Sequence, residues 1–345
     1  MCDSKEDMSN VIFTNTREKH YFFLYKSLEK RKNRNKHEKD LDKLKKYINQ
    51  EVYMPRIDSF NDPFEGIFHY LTLPISDILN NIEYFNMAYN NRKIEYYELT
   101  KEEFRSKLES SDCKEYRHKI VSDELRKKMF EHSALCLTSN PSNIPMWSHY
   151  ANDHCGYCLV FELNFDDMYD KMSKENNFGS KANFYDEYIN KIINPKDGEN
   201  DVFSAYLGEG KEKLRLYLTK IKYVKNIQSM DVKILDKFIK NRSSKDDCSY
   251  DEIKYTIMNS LGVKYNQWDY EDEYRIILNF NSLDIGKKNI VLSSVMPFMK
   301  ISGLIIGYNV EDKRRGDIIK MCSKKSIVTY NTEISQKNYE IIIKK

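Results

Sequence analysis

The chain has 345 residues, longer than one hydrophobic core usually extends, and 40% of them are hydrophobic, so a substantial core can be buried. Its 56 Lys and Arg nearly balance 53 Asp and Glu, and a formal charge of +3 gives no general argument for nucleic-acid, membrane or acidic partners. Because the N-terminus does not resemble a signal peptide and no apolar run reaches about 18 residues, we expect a cytoplasmic protein without a membrane partner.

The first predicted elements are a strand, His20 to Tyr25, and a helix within the basic segment Lys30 to Lys46. Nine basic residues lie in that segment. An apolar stripe at helical spacing predicts the helix, and it consists of Leu41, Leu44 and Ile48. A solvated helix face is the favoured interpretation of these charges, and contact with nucleic-acid phosphates is the alternative.

The stretch "EVYMPRIDSF" predicts a strand, and the "NDPFE" motif, Asn61 to Glu65, predicts the start of a helix after it. Asp62 can cap that helix, Pro63 suits its first position, and Glu65 completes a capping box. The alternative is that the exposed N–H groups and the Asn61 amide bind an anion such as a pyrophosphate.

The stretch "IPMWSHYANDHCGYCLVFEL" contains one of two tryptophans, two of seven histidines and two of seven cysteines. Asn143 and Pro145 predict the start of a helix that continues to about His154, and Gly156 is expected to end it in a left-handed conformation. Trp147 is expected to pack on a sheet. A strand with alternating faces follows, Tyr157 to Leu163.

Four side chains in this stretch are potential zinc ligands, but their spacing does not favour a metal site. Cys155 and Cys158 form a single CxxC pair, and a second pair at a distance is missing. His149 and His154 are five residues apart. We therefore expect no metal, and we expect Cys158 to be a buried strand residue.

Residues 166–251 are polar and predict a variable helical insertion within one large domain, 1–345. The stretch "WDYEDEYRIILNF" after it predicts a strand whose alternation places Glu271, Glu273 and Arg275 on one face. That face is either a solvated ion-pair surface or a cleft in which a carboxylate steadies a cationic transition state and Arg275 holds an anion. In both cases Glu273→Gln should leave stability nearly unchanged.

Strands near both ends of the chain, with a strand, helix and strand at the C-terminus, predict an α+β fold. We expect a mixed, largely antiparallel sheet core with helical insertions.

Three motifs, "SFNDPFE", "MWSHYANDHCGYCLVFEL" and "WDYEDEYRIIL", resemble those of a bacterial domain-of-unknown-function family. The resemblance extends from about Tyr21 to the C-terminal region and covers 166–251 least. Membership in this family implies no settled activity.

A second resemblance, of layout alone, is to ADP-ribosyltransferase folds. These folds place an aromatic or basic residue on a first strand, an aromatic or hydroxyl side chain on a middle element, and a catalytic Glu on a late strand. The matching residues in chain order are Tyr25, Lys26 and Ser27, then His149 and Tyr150, then Glu271 and Glu273.

This layout implies NAD as co-substrate, a protein or nucleic acid as acceptor, and a toxin or phage-defence role. Tyr150 or Trp147 would stack on nicotinamide, Asn61 and Arg275 would hold the pyrophosphate, and Glu273 would stabilise the oxocarbenium ion. The alternatives are a non-enzymatic binding module and a nucleic-acid-binding protein that uses Lys30 to Lys46.

Overall fold

The computed structural model describes residues 12–28, 34–62, 72–92, 99–110, 117–119, 132–196, 201–207, 214–226, 261–279 and 290–345. The fold over these ranges is α+β, which confirms the predicted class. The strands are β1 Lys19–Lys26, β2 Glu51–Val52, β3 Thr72–Pro74, β4 Arg117–Lys119, β5 His132–Thr138, β6 Tyr157–Asn164, β7 Val202–Leu207, β8 Leu214–Lys220, β9 Lys222–Val224, β10 Val263–Tyr265, β11 Glu273–Asn279, β12 Ile290–Val291, β13 Met299–Ile306, β14 Val328–Ile334 and β15 Ile341–Lys344.

The helices are interspersed with these strands. The α-helices are α1 Arg34–Ile48, α2 Ile75–Asn80, α3 Ile82–Arg92, α4 Lys101–Glu109, α5 Ile144–Tyr150, α6 Phe165–Met172, α7 Lys181–Phe184, α8 Asn190–Ile193, α9 Leu292–Val295 and α10 Asp312–Ser323. Two 3₁₀ turns, Ile57–Ser59 and Asn266–Glu271, and a π-helical turn, Tyr185–Ile189, complete the described elements.

The contacts divide the chain into two compact units. The first consists of Met1–Pro55, Ala134–Ile221 and Gln267–Lys345, and the second of Arg56–Ser133 and Lys222–Asn266. The second unit contains α2, α3 and α4 and the two-stranded sheets β3–β4 and β9–β10. The expectation of one large domain over 1–345 stays a prediction.

The first unit is built on a nine-stranded sheet with the order β15-β14-β13-β6-β1-β5-β11-β8-β7. β1, the first strand of the described residues, lies at its centre and pairs antiparallel with both β5 and β6. β13 pairs antiparallel with β6 and parallel with β14, so the sheet is mixed and mostly antiparallel, as predicted.

Side chains alternate across this sheet between a large and a small core. The large core takes Phe22 of β1, Leu159 of β6 and Ile276 of β11, and α6 and α10 pack against the same side. The small core contains Phe23 and Tyr25 of β1 and Cys158 and Val160 of β6. This alternation confirms the two faces predicted for Tyr157 to Leu163.

Helix α1 buries the predicted apolar stripe through Leu44 and Ile48, which are 0% and 6% exposed. Two of its lysines lie near carboxylates of the same helix, with Lys43 Nζ 3.9 Å from Asp40 and Lys45 Nζ 2.9 Å from Asp42. These pairs partly neutralise the basic face, and its contact with nucleic acid stays a prediction.

Two local predictions need correction. The stretch "EVYMPRIDSF" forms a strand only at Glu51–Val52 and then a 3₁₀ turn at Ile57–Ser59. Pro55 lies between them, and its missing N–H prevents a continuous ladder. Residues 166–251 are not only helical, since β7 and β8 extend the main sheet.

The NDPFE motif is described only in part. Asn61 is exposed and Asp62 is buried, both in the second unit, while Pro63 to Glu65 lie outside the described residues. The capping box therefore stays a prediction. Across the part of the chain that the structure describes, no helix has the length and apolar character needed to cross a membrane.

Candidate functional site

Helix α5 carries the polar part of the motif between β5 and β6. The Asn143 side chain accepts a hydrogen bond from Met146 N at 3.0 Å, and Pro145 lies in the first turn, so the helix start is confirmed. The helix ends at Tyr150, earlier than the predicted His154.

The turn after α5 also differs from the prediction. Asn152, Asp153 and His154 are the residues with positive φ, at 50°, 51° and 63°, and Gly156 is not among them. A Cβ on Gly156 would lie 2.2 Å from the carbonyl oxygen of Lys26. The glycine therefore permits close backbone approach, and its expected left-handed conformation was wrong.

Two segments more than 100 residues apart in the sequence meet beside α5. The Tyr150 hydroxyl donates to Glu271 Oε1 at 2.5 Å. His149 Nδ1 lies 3.1 Å from the Tyr270 hydroxyl, and Asn143 Nδ2 donates to the Tyr270 carbonyl at 2.5 Å. Helix α5 is thus joined to the 3₁₀ turn Asn266–Glu271 by three polar contacts.

We call this group the aromatic site. It consists of His149, Tyr150, Trp268, Tyr270 and Glu271. His149 is exposed and the three other aromatic residues are partly exposed, whereas Glu271 is only 4% exposed. A carboxylate that accepts a short hydrogen bond at the inner edge of an accessible aromatic surface can orient a hydroxyl group or stabilise a developing positive charge.

The next carboxylate along the chain has a different environment. Arg275 Nε donates to Glu273 Oε1 at 2.7 Å, and Arg275 Nη2 donates to Glu273 Oε2 at 3.2 Å. Glu273 is 4% exposed and Arg275 is fully buried. The expected open cleft on this face of β11 was therefore wrong, because the face that carries the charges is covered as completely as the apolar one.

Asp272, between the two glutamates, makes the junction from turn to strand. Its φ is 42°, and its carboxylate accepts a hydrogen bond from Ser139 and pairs with Lys220 Nζ at 3.0 Å. Although burial lowers the pKa of Lys220, its contacts with Tyr274 and Asp272 outweigh burial and the net shift is upward. Sequence reasoning missed Asp272 and Tyr270, although both lie within the quoted motif.

The small-core residues that were expected to contact NAD are largely inaccessible to a ligand. Trp147 is fully buried, and its Nε1 donates to the Pro141 carbonyl at 2.9 Å. Tyr25 packs edge-on against it with ring centroids 5.1 Å apart, and the Tyr25 hydroxyl donates to the Asn140 carbonyl. Burial raises the pKa of Tyr25 well above its ordinary value. Both residues stabilise the core, so Trp147 is not placed to stack on nicotinamide, while Ser27 is exposed.

Within the described residues, no group of three or more His, Cys, Asp or Glu is placed to hold a metal ion. Cys155 and Cys158 are free thiols, and the fully buried Cys158 confirms its predicted core position. Burial raises the pKa of the Cys158 thiol. His154 stacks on Trp147 with an interplanar angle of 8°. The absence of a metal cofactor stays a prediction.

A cavity of about 300 Å³ opens in the first unit. One of its walls, Ser139, donates to Asp272. The lining residues are Ile12, Phe13, Asn15, Tyr21, Phe23, Ser139, Asn140, Pro141 and Ile343.

Two of the three sequence motifs thus meet in one structural unit, and the third, with Asn61, lies in the other unit. Residues 146–276 match the family described as protein of unknown function, DUF2971. The match confirms the resemblance to a domain-of-unknown-function family. The DUF2971 region covers less than half of the chain and includes most of α5, the 3₁₀ turn and the start of β11. Comparisons with curated proteins and with solved structures found no match.

Proposed function

We propose that the chain is a cytoplasmic bacterial effector that transfers ADP-ribose from NAD to a protein or nucleic-acid acceptor, in a toxin or phage-defence role. The aromatic site is its catalytic centre. The observation that carries the proposal is the 2.5 Å hydrogen bond from the Tyr150 hydroxyl to Glu271, within an accessible aromatic surface.

The arrangement of the sheet supports the same proposal. β1 carries Tyr25, Glu271 lies in the turn just before β11, and β1 and β11 are separated in the sheet only by β5. Tyr25 and Tyr150 both pack in or against the small core. Two parts of the layout therefore belong to the small core, and Glu271 contacts one of them, Tyr150, although it is distant in sequence.

The proposed reaction exchanges one bond at ribose C1′ of NAD for another. The bond between nicotinamide nitrogen and ribose C1′ breaks, nicotinamide leaves with the bonding electrons, and the acceptor forms a new bond to C1′ and gives up its proton. Glu271 stabilises the positive charge that develops on the ribose, and the Tyr150 hydroxyl holds the carboxylate in position. His149 and Tyr270 provide aromatic surface for the nicotinamide ring.

The ion pair on β11 changes the assignment of roles, because Glu271 and Glu273 are equally buried and differ in their partners. Glu273 and Arg275 are a structural ion pair, so Glu271 takes the catalytic role expected of Glu273, and the pyrophosphate is not held by Arg275.

A second candidate is a non-enzymatic binding module, and the burial of the Glu273–Arg275 pair favours it. That pair and the buried Trp147 have structural roles, which leaves His149, Trp268 and Tyr270 as an accessible surface for a partner. Aromatic residues of this kind are enriched at interfaces.

Glu271→Gln distinguishes the two candidates. Glutamine keeps an oxygen that accepts the Tyr150 hydrogen bond but has no charge. We expect release of nicotinamide from labelled NAD, in the presence of cell extract, to fall at least about 100-fold, as is typical when one electrostatic stabiliser is lost. Thermal melts of the two proteins should be similar.

Glu333→Gln is the matched control, because Glu333 is exposed and lies on β14, outside the aromatic site. It should turn over NAD at the wild-type rate. If the wild-type protein neither binds nor cleaves NAD with any extract, the transferase proposal fails and the binding module replaces it. Equal turnover by wild type and Glu271→Gln would remove Glu271 from the mechanism.

A further inference from the structure

The nine-stranded sheet ends in an edge strand, β15, on one side. β15 pairs antiparallel with β14 and has no second neighbour among the described strands. The strand and the residue before it, 340–344, have the sequence "EIIIK". Because an edge strand offers its outward N–H and C=O groups to any extended chain that can pair with it, β15 is a candidate interaction surface.

The hydrogen bonds between β14 and β15 determine which backbone groups of β15 point outward. The N–H of Ser335 donates to the carbonyl of Glu340 at 3.1 Å, so these two residues form a hydrogen-bonded pair. The next pair along the ladder is Ile334 with Ile341, and hydrogen-bonded and non-hydrogen-bonded pairs alternate. Ile341 and Ile343 therefore direct their N–H and C=O groups away from β14.

The side chains of the same strand divide between two faces. Ile341 and Ile343 are buried in the small core, at 6% and 7% exposure, and this burial fixes the strand in place. Glu340, Ile342 and Lys344 lie on the opposite face, where Ile342 is half-buried and Lys344 is exposed. That face therefore carries an apolar residue between a negative and a positive one.

The two charged residues have contacts within the hairpin that leave them accessible. Lys344 Nζ lies 2.5 Å from Glu333 Oε2, and the side chains of both residues are 55% exposed. Glu340 Oε1 accepts a hydrogen bond from Asn338 Nδ2 at 3.2 Å, also at the surface. Both charges can therefore be approached by a further group of opposite charge.

The order of residues in β15 is complementary to itself in an antiparallel pair. If two copies meet with Ile342 opposite Ile342, Glu340 of each copy lies opposite Lys344 of the other. The same register places Ile341 opposite Ile343, so their outward backbone groups form hydrogen-bonded pairs. A register shifted by two residues keeps the hydrogen bonds but loses both charge pairs. Opposite charges directly across a ladder stabilise it, and like charges destabilise it, so the charges select the register centred on Ile342.

We propose that the chain forms a two-fold symmetric dimer in which the β15 strands of two copies pair antiparallel around Ile342. The pairing joins the two sheets through one continuous ladder. Because the same residues are used on both sides, the contact closes after two copies and leaves neither β15 edge unpaired. The dimer is independent of the proposed transfer reaction. One strand pair is a small interface, so we expect a dissociation constant in the micromolar range.

Charge reversal on the 345-residue chain tests the dimer. Wild type should show a concentration-dependent dimer in analytical ultracentrifugation. Glu340→Lys places two positive charges opposite each other at both ends of the contact, and Lys344→Glu places two negative charges there. Each variant alone should therefore have a dissociation constant raised by about tenfold or more, since like charges across an interface are strongly unfavourable.

An equimolar mixture of the two variants tests the register. In a heterodimer of Glu340→Lys with Lys344→Glu, the two introduced charges face each other and the two native charges face each other. The mixture should therefore dimerise with about the wild-type affinity, which an effect on the folding of either variant cannot produce. Lys337→Glu reverses a charge at an exposed position in the turn of the same hairpin, outside the paired strand, and should leave the dimer unchanged.

Wild type that stays monomeric at about 100 μM would overturn the proposal, since that concentration exceeds the dissociation constant expected for a small specific interface. Lys344 would then serve to repel other strands from the edge. Wild-type affinity in both single variants, or no recovery in their mixture, would also overturn it. Thermal melts check that each variant folds. If one variant does not fold, wild type and the other still decide, because the dimer must be present in the first and weakened in the second.

Discussion

Two charged hydrogen bonds join the buried side chains of Glu273 and Arg275, so each stabilises the charge of the other. Glu273→Gln removes the carboxylate charge that lies 2.7 Å from the fully buried guanidinium of Arg275. We expect the free energy of unfolding to fall by about 3 kcal/mol or more, as measured by denaturant titration. Glu333→Gln, at an exposed ion pair, should cost under about 1 kcal/mol. Equal small losses would mean that the Glu273–Arg275 pair is as hydrated as a surface pair.

His154 should contribute to acid sensitivity. Burial lowers its pKa below the ordinary value of 6.5, although the nearby Asp153 carboxylate opposes this shift. The unfolded chain therefore binds the proton first, so stability is fully present above about pH 6.5 and is lost as the pH falls toward the lower pKa of the folded state. His154→Phe keeps a ring between Trp147 and Tyr308 and should flatten the decrease in melting temperature between about pH 7 and 5.

The melting temperature of His154→Phe should still fall somewhat with pH, because burial also lowers the pKa of His20. If the melting temperatures of wild type and His154→Phe fall in parallel from neutral to acid pH, His154 does not contribute to the acid sensitivity.

At the scale of elements, the close approach of β1 to the turn before β6 depends on a missing side chain. Gly156→Ala would place a methyl group 2.2 Å from the Lys26 carbonyl and 2.9 Å from that of Ala151. Because both are backbone atoms, the strand itself must shift, at a cost of roughly 1–3 kcal/mol in unfolding free energy.

The control for this substitution is Gly316→Ala in α10. A Cβ there meets nothing within 4 Å, and alanine favours a helix over glycine, so stability should rise by about 0.5–1 kcal/mol. Chemical denaturation of the two variants should show opposite signs. A stable Gly156→Ala variant would mean that the turn can move away from β1 at little cost.

These elements also show how far the sequence alone leads. The pair Asn143 and Pro145 predicted the start of α5, because capping is a local interaction. Gly156 was misinterpreted, since a glycine needed for a left-handed turn and one needed for close approach look the same in a sequence. Strand alternation correctly placed Glu273 and Arg275 on one face of β11, but alternation does not tell what covers that face.

For the whole molecule, the α+β class followed from the order of predicted strands and helices, whereas the arrangement of strands in the sheet did not. Hydrophobic periodicity identifies a strand but not its neighbours. Tyr150 and Glu271 are 121 positions apart, and their contact depends on which strands are neighbours in the sheet. A candidate site was therefore predictable as two motifs, and its geometry was not.

The central position of β1 has a consequence for synthesis on the ribosome. The aromatic strand Lys19–Lys26 is translated before its partners β6 and β5, which end at Asn164 and Thr138. Until more than 100 further residues have emerged, both edges of this strand lack their native partners and its aromatic side chains lack a core. Such segments invite aggregation. The nascent chain should therefore need shielding, for example by a chaperone, through much of its translation.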